Sequence, residues 1–402
     1  MNNGKKVRIA MAVTNDLVTD RRVDRHCRTL MEAGCEVLLI GRRLPESTEV
    51  ERPYATHRMV LRHRRGPLFY AEFNIALARY LRSQEVDIVW ANDSDTLPGC
   101  WLAARRKHCR LVMDAHELFP ELPEVQGRPL VQLAWKAINR LFMPCCDALL
   151  TVCNSFAQYY KEHLGVEMTV VRNVREWKSG KVEEWKSGKV DSATLPPYHF
   201  AAKKMLLYQG AVNVGRGVDW AIDALEWLPD CRLVVAGTGD LYEEMTAYAA
   251  QKPWADRIEF LGRLPHEELD RLTPQADVGL LMLEHMGLSY TLTLPNRVGD
   301  FVAAGVPMVV SDMPETVAVV RRYDIGEVID RLHGADGKAQ ARALADAVRR
   351  LLDRWSRLSA AEREARFAPA REDLNWNNEK KKLLECLNVL MHEYSGTQTI
   401  KQ

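Results

Sequence analysis

Nowhere in its 402 residues does the chain hold an apolar run approaching the roughly 20 residues needed to cross a bilayer, so any membrane contact is expected to be peripheral. Neither charge is in excess. Lys and Arg total 55 against 54 Asp and Glu, and a formal charge of +1 gives no overall reason to expect nucleic acid as a partner. Nine cysteines, at 27, 35, 100, 109, 145, 146, 153, 231 and 386, include no Cys-x-x-Cys pair, which leaves reduced thiols in a cytosolic protein as the simplest reading. No Gly-x-Gly-x-x-Gly is completed, and with it goes the dinucleotide fingerprint of a dehydrogenase. Met1-Asn-Asn-Gly-Lys-Lys leads directly into the short apolar run Val7 to Val13, too brief for a secretory signal, so the expected location is the cytoplasm or the inner face of a membrane.

What is present is ordinary for a folded protein of two domains: 47% hydrophobic and 27% charged residues over a length that supports two cores. Short apolar runs alternate with amphipathic ones. Val7 to Val13, Glu36 to Ile40, Asp87 to Ala91, Arg110 to Ala115 and Ala148 to Val152 read as strands, separated by helical stretches such as Asp20 to Ala33. The rhythm breaks near Glu176, where Glu-Trp-Lys-Ser-Gly-Lys-Val-Glu is followed at once by Glu-Trp-Lys-Ser-Gly-Lys-Val-Asp, and it resumes with Met205 to Tyr208, Arg232 to Ala236, Ile258 to Leu261 and Val278 to Leu283. This predicts an α/β protein with two doubly wound parallel sheets. The expected domains are 1–172 and 204–370, joined by a linker at 173–203 that carries the duplicated octapeptide, with a helical segment 371–402 that packs back on the first domain.

The stretch Leu294-Pro-Asn-Arg-Val-Gly-Asp-Phe-Val-Ala-Ala-Gly-Val-Pro-Met-Val-Val-Ser-Asp312 carries the most chemistry. Pro295 suits a first helical turn, Gly305 and Pro307 suit its end, and Val306 to Val310 reads as a buried parallel strand. Asn296 and Asp300, four apart, share a face beside a helix N-terminus whose free N–H groups favour an anion. Two glycine loops add to this, Tyr208-Gln-Gly-Ala-Val-Asn-Val-Gly-Arg-Gly217 and Ala236-Gly-Thr-Gly-Asp240. Backbone amides in such loops approach phosphates closely, and Gly210, Gly217, Gly237 and Gly239 are the candidates, with a plain tight turn as the other reading of Gly237 and Gly239.

These segments resemble the donor half of GT-B glycosyltransferases, especially retaining enzymes of family 4 (group 1 type), where a Pro-Asn-Lys turn opens a helix bearing a Glu and Ala-Gly-x-Pro follows. Here the turn is Pro295-Asn296-Arg297, the acid is Asp300, and Ala304-Gly305-Val306-Pro307 matches. The resemblance spans nearly the whole chain in order. It implies two Rossmann-like domains facing a cleft, a UDP- or GDP-linked sugar as donor, no cofactor and no metal. It further implies that Arg216, in the position of the family's Lys-Gly, and Arg297 neutralise the diphosphate, and that Asp300 binds ribose. Two family positions differ: Ala211 stands where a second cation is usual, and Leu292 stands where the family's Glu-x7-Glu places its first acid.

In the first domain, Asp114-Ala-His-Glu117 follows a strand, and the resemblance makes His116 the residue that faces the donor sugar; a hydrogen-bonded structural histidine is the other reading. Asp16 and Asp20, after the first strand, are acceptor-side candidates, Asp20 being equally suited to cap the next helix. Asp93-Ser-Asp95 has the form of a metal-binding Asp-x-Asp, but its GT-B-like context argues against a metal. Arg58-Met-Val-Leu-Arg-His-Arg-Arg-Gly-Pro-Leu-Phe-Tyr70 mixes cations with apolar side chains and is a candidate for contact with anionic lipid or a lipid-linked acceptor, or else a solvated face. The function expected is sugar transfer to a glycan, lipid-linked or small-molecule acceptor. A nucleotide-sugar 2-epimerase and a non-catalytic nucleotide-sugar-binding protein of the same fold remain the alternatives.

Overall fold

The computed structural model describes residues 6–18, 20–176, 203–329 and 337–399. Most of the expected linker, including the duplicated octapeptide from residue 177 onward, lies outside the described residues. The chain forms two compact units, Met1–Asn173 with Glu379–Gln402, and Val174–Asn378.

The first unit is built on a parallel sheet of seven strands: β1 (Arg8–Ala12), β2 (Glu36–Arg43), β3 (Ala55–Val60), β4 (Ile88–Asn92), β5 (Arg110–Ala115), β6 (Ala148–Thr151) and β7 (Thr169–Val170), in the order β3-β2-β1-β4-β5-β6-β7. Ile9 to Ala12 and the whole of β4 are buried, as central strands covered on both faces by helices must be. The order reverses between β1 and β4, and the crevice beyond their carboxyl ends is where such sheets hold ligands. The last helix, Trp376–Thr399, is anchored to this unit through Glu379, fully buried, which accepts from Arg172 at its backbone N (2.9 Å) and Nε (2.7 Å).

The second unit carries a six-stranded parallel sheet, β8 (Lys204–Gln209), β9 (Cys231–Ala236), β10 (Ile258–Gly262), β11 (Val278–Leu281), β12 (Met308–Ser311) and β13 (Gly326–Ile329), ordered β10-β9-β8-β11-β12-β13. β8, β9, β11 and β12 are almost entirely buried, their Leu, Val and Met side chains forming one continuous core. The expected strand at Val306 to Val310 starts two residues later, because Val306 N still closes the preceding helix on the Phe301 carbonyl (2.9 Å) and Pro307 has no N–H to donate. Pro295 stands one position ahead of the helix Asn296–Ala304, and Gly305, at φ 69°, closes it in the left-handed conformation open to glycine. β3, β7 and β13 fall outside the expected strands. All three are edge or next-to-edge strands with mixed burial, so their apolar pattern is weak.

Candidate functional site

In the second unit, the loops after β8 and β9 are bonded to each other. Gly210 N donates to the Ala236 carbonyl (2.9 Å), Val212 N to that of Thr238 (3.1 Å), and Leu241 N to that of Val212 (3.0 Å). A Cβ on Gly237 would lie 1.8 Å from the Gly210 carbonyl oxygen, and one on Gly239 would lie 2.1 Å from Asn213 Oδ1. Both glycines are thus demanded by the packing of loop on loop, the tight-turn reading, independently of any ligand.

Arg297, at the start of the helix Asn296–Ala304, reaches back over the end of β8. Its guanidinium donates to the Gln209 carbonyl (3.0 Å), lies 5.4 Å from the Tyr208 ring centroid, and would stand 3.0 Å from a Cβ at Gly210. Arg216, near the other end of the same loop, stands 4.5 Å from the centroid of Tyr290, which belongs to a short helix (Leu288–Leu292) that the sequence reading missed. Its Nε is buried and finds no hydrogen-bond partner among the described residues. Neither arginine pairs with a carboxylate among the described residues, so two fixed cations remain un-neutralised. Asn296 is exposed at the helix start, and Gly217 adopts φ 59° as the cap of the helix Val218–Ala224.

Asp300, the expected ribose ligand, is ion-paired within its own unit. Its carboxylate lies 3.2 Å from Arg175 Nε and accepts from Gln209 Nε2 at 3.4 Å, while Arg175 also grips Asp270. Arg175 lies in the expected linker and belongs to no periodic element, so sequence reading had no means of singling it out. Glu284 lies out of register in sequence, but its backbone N donates to the Gly215 carbonyl (2.9 Å) beside the Arg216 loop. Burial, then the charge of Asp219, pushes the Glu284 carboxyl up. Leu292 leaves the family's first acidic position uncharged.

In the first unit, the carboxyl ends of β4 and β5 hold a chain of buried charges. Asp114 is fully buried and takes both arms of Arg22, Nε to Oδ2 (3.0 Å) and NH2 to Oδ1 (2.6 Å). His116 Nε2 lies 2.9 Å from Asp114 Oδ2, His116 Nδ1 lies 3.3 Å from Asp93 Oδ2, and His26 Nδ1 lies 3.4 Å from Asp114. Both ring nitrogens of His116 therefore face carboxylates of its own unit. Burial opposes a charge on this ring, yet Asp93 and Asp114 outweigh it and push its pKa up. Burial would likewise raise Asp114, but Arg22 and then His116 hold it well below the usual carboxylate range. Asp93, at φ 66°, accepts the backbone N–H groups of His116 (2.6 Å) and Glu117 (3.2 Å), so it fastens the β4 and β5 ends together. Burial pushes the Asp95 carboxyl up to about 7, against the hydrogen bond from Thr14 Oγ1 (2.5 Å). Arg22 and His26, four apart and on the buried face of a helix they share with Val23, Cys27 and Leu30, are the signal that was available for this network and went unused.

Asp20 caps the helix Arg21–Glu32, accepting from Val23 N (3.1 Å) and from Asn15 Nδ2 (2.8 Å), which occupies both oxygens with local structure. Asp16 accepts from Val18 N (3.2 Å) and Ser47 Oγ (3.0 Å). The basic segment 58–70 is only partly a surface: Met59 and Phe69 are buried and Arg58 donates to the Thr48 carbonyl, while Arg62, Arg64, Arg65 and Leu68 are exposed.

Residues 19–174 match the family model of Glycosyltransferase Family 4, and residues 203–354 match that of Glycosyl transferases group 1. Among solved structures, the fold is shared with sucrose-phosphate synthase from Thermosynechococcus elongatus (17% identity, 96% of this chain and 100% of that one, TM-score 0.73). It is shared also with a glycosyltransferase from Rickettsia africae (14%, 96% and 99%, 0.69) and with Anabaena HepE, solved in complex with UDP-glucose (12%, 95% and 99%, 0.69). No curated protein sequence gives a significant match. Two glycosyltransferase domains matched in chain order, on two parallel sheets whose carboxyl ends carry the loops described above, place the chain in the GT-B glycosyltransferases, its first unit of family 4 and its second of group 1 type.

Proposed function

We propose that the protein moves a sugar from a UDP- or GDP-linked donor to a hydroxyl of a glycan, lipid-linked or small-molecule acceptor, with retained anomeric configuration. The bond from the anomeric carbon to the diphosphate oxygen breaks, a bond to the acceptor oxygen forms, and the hydroxyl proton leaves with the nucleoside diphosphate or to solvent. The observation that carries this reading is the pair of arginines, Arg216 and Arg297, held at either end of one glycine loop without a carboxylate partner among the described residues. Negative charge grows on the leaving diphosphate as the glycosidic bond breaks, and cations fixed in advance stabilise it without reorganising. The N–H groups at Asn296 and the glycine loops at Gly210, Gly217, Gly237 and Gly239 supply further donors. In this reading Asp300 reaches the ribose only by exchanging part of its contact with Arg175, and His116 acts through its charge on Asp93 and the loop behind it. Asp16 is the acceptor-side contact, while Asp20 positions the loop. Exposed Val60 and Leu68 among Arg62, Arg64 and Arg65 support peripheral contact with an anionic membrane.

A panel of nucleotide sugars tested by thermal shift, followed by product analysis by NMR, tests the proposal: a selective donor raises the unfolding temperature, and a new glycoside forms with the donor's anomeric configuration. An epimerised donor without acceptor would point to the 2-epimerase. Binding with no turnover would favour the non-catalytic reading, which the uncharged Leu292 and the engaged Asp300 support. If no nucleotide binds, the proposal fails.

A further inference from the structure

A cavity of about 350 Å³ opens at the carboxyl ends of β2 and β3, lined by Arg42, Arg43, His63 and Arg64 together with apolar groups including Leu44 and Val60. Its cations are poorly neutralised. Arg42 is held in place by donating to the Arg64 carbonyl (2.9 Å) and by lying 4.5 Å from the Phe69 ring centroid, and its Nε is buried without a hydrogen-bond partner. Arg43 reaches Glu49 at 3.5 Å, but both side chains are largely exposed and such a pair is weak. Glu72, the other carboxylate at this site, is satisfied by its own turn: it accepts from Arg62 N and His63 N, each at 2.9 Å, and from the His63 ring. Those contacts, the Arg62 amide first, hold its carboxyl down at about 2. Arg64 pairs with no carboxylate among the described residues.

The cavity also stands in the right place. Arg42 N donates to the Asn15 carbonyl (2.9 Å), and Ser47 Oγ bridges Leu44 N in the cavity wall (3.0 Å) to Asp16 (3.0 Å), so the site borders the loop after β1, the strand on whose far side, toward β4, this sheet reverses its order. Its volume is at the small end of ligand pockets, which run from about 300 to 1,000 Å³. It suits a phosphate with the portion of a molecule attached to it, the apolar groups meeting carbon while the guanidinium forks meet phosphate oxygens.

We propose that this cavity grips a phosphate group on the acceptor, so that the substrate receiving the sugar is a phosphorylated one. The phosphate is held and not transferred; a hydroxyl elsewhere on the same molecule takes the sugar. This rests on the glycosyl-transfer reading above. The phosphate belongs either to a soluble sugar phosphate or to a lipid, and the test separates the two.

The experiment uses the full chain in calorimetric titrations with glucose 6-phosphate, glucose, inorganic phosphate and, separately, UDP and GDP, together with sedimentation on phosphatidylcholine vesicles with and without phosphatidate. Glucose 6-phosphate or phosphatidate vesicles should bind at least about tenfold more tightly than glucose or plain vesicles, as expected from charge-assisted hydrogen bonds. Arg64→Gln, an exposed change, should weaken that binding about tenfold, Arg42→Gln should do the same or more, and both should leave nucleotide affinity unchanged. Preference for the soluble phosphate or for the phosphatidate vesicle identifies the source, and either supports the proposal. Phosphate-independent binding, or phosphate binding that persists undiminished in both variants, overturns it. Loss of nucleotide binding by the wild-type chain would instead sink the donor reading, which the separate UDP and GDP titrations reveal.

Discussion

Arg216→Ala separates a diphosphate-binding arginine from one that merely decorates a loop. Arg216 is half-buried, lies 4.5 Å from the Tyr290 ring centroid and pairs with no carboxylate among the described residues, so its stabilising contact is the aromatic one. A cation over an aromatic ring at such a site contributes about 0.5–1 kcal/mol. For a unit of this size that corresponds to a fall of only about 1–4 °C in unfolding temperature. The functional effect should be much larger. Removing one fixed donor from a developing anion costs about 2.7–4 kcal/mol, or about 10²- to 10³-fold in kcat. UDP or GDP affinity should fall about 10- to 100-fold, from the about 1.5–3 kcal/mol of a charged hydrogen bond. Release of nucleoside diphosphate gives the rate, titration gives the affinity, and calorimetry verifies the fold; Arg216→Lys, which keeps the charge but not the fork, should fall between. A folded Arg216→Ala protein with kcat within about threefold of wild type would remove this residue from the mechanism.

Asp114→Asn leaves Arg22 buried without its carboxylate, which should cost roughly 3–5 kcal/mol and lower the unfolding temperature of the first unit by about 10 °C in calorimetry; a drop under about 2 °C would show that the network carries no such weight. Asp95 gives a test through pH. Its carboxyl titrates near 7 when folded and near 3.9 when unfolded, so the folded state holds the extra proton and stability falls as pH rises from about 4 to about 7, then levels. Asp95→Asn abolishes this component, so its unfolding temperature should fall less between pH 5 and pH 8 than that of the wild type, and parallel curves would refute the assignment. Gly237→Ala places a Cβ against the Gly210 carbonyl oxygen and must push the two donor loops apart; nucleotide affinity should fall more than tenfold, whereas unaltered binding would mean the loops do not cradle the donor.

The second unit was the more legible of the two because its motifs are local. Strand, glycine loop and helix start follow one another within a few residues, so Gly210, Arg216, Arg297 and the Asn296 helix could be placed from spacing, turn chemistry and resemblance. Edge strands such as β3 and β13 were not legible, since half-exposed strands lack the unbroken apolar run of a central one. The same limit applies to charge partners. Nothing in the sequence joins Asp300 to Arg175, 125 positions away by their numbering, or Arg22 to Asp114, because an ion pair between distant segments leaves no periodic trace.

By itself, then, the sequence determined that this chain forms two parallel α/β sheets and that the second carries glycine loops after its strands, because those features depend on short-range periodicity and backbone preference. Tertiary structure alone decided how each charge is employed: that both nitrogens of His116 turn to Asp93 and Asp114, that Asp300 is held by Arg175, and that Arg42 and Arg64 are left to line a cavity. Charges act over a few ångströms of space and not along the chain, so their roles became visible only once folding had chosen their neighbours.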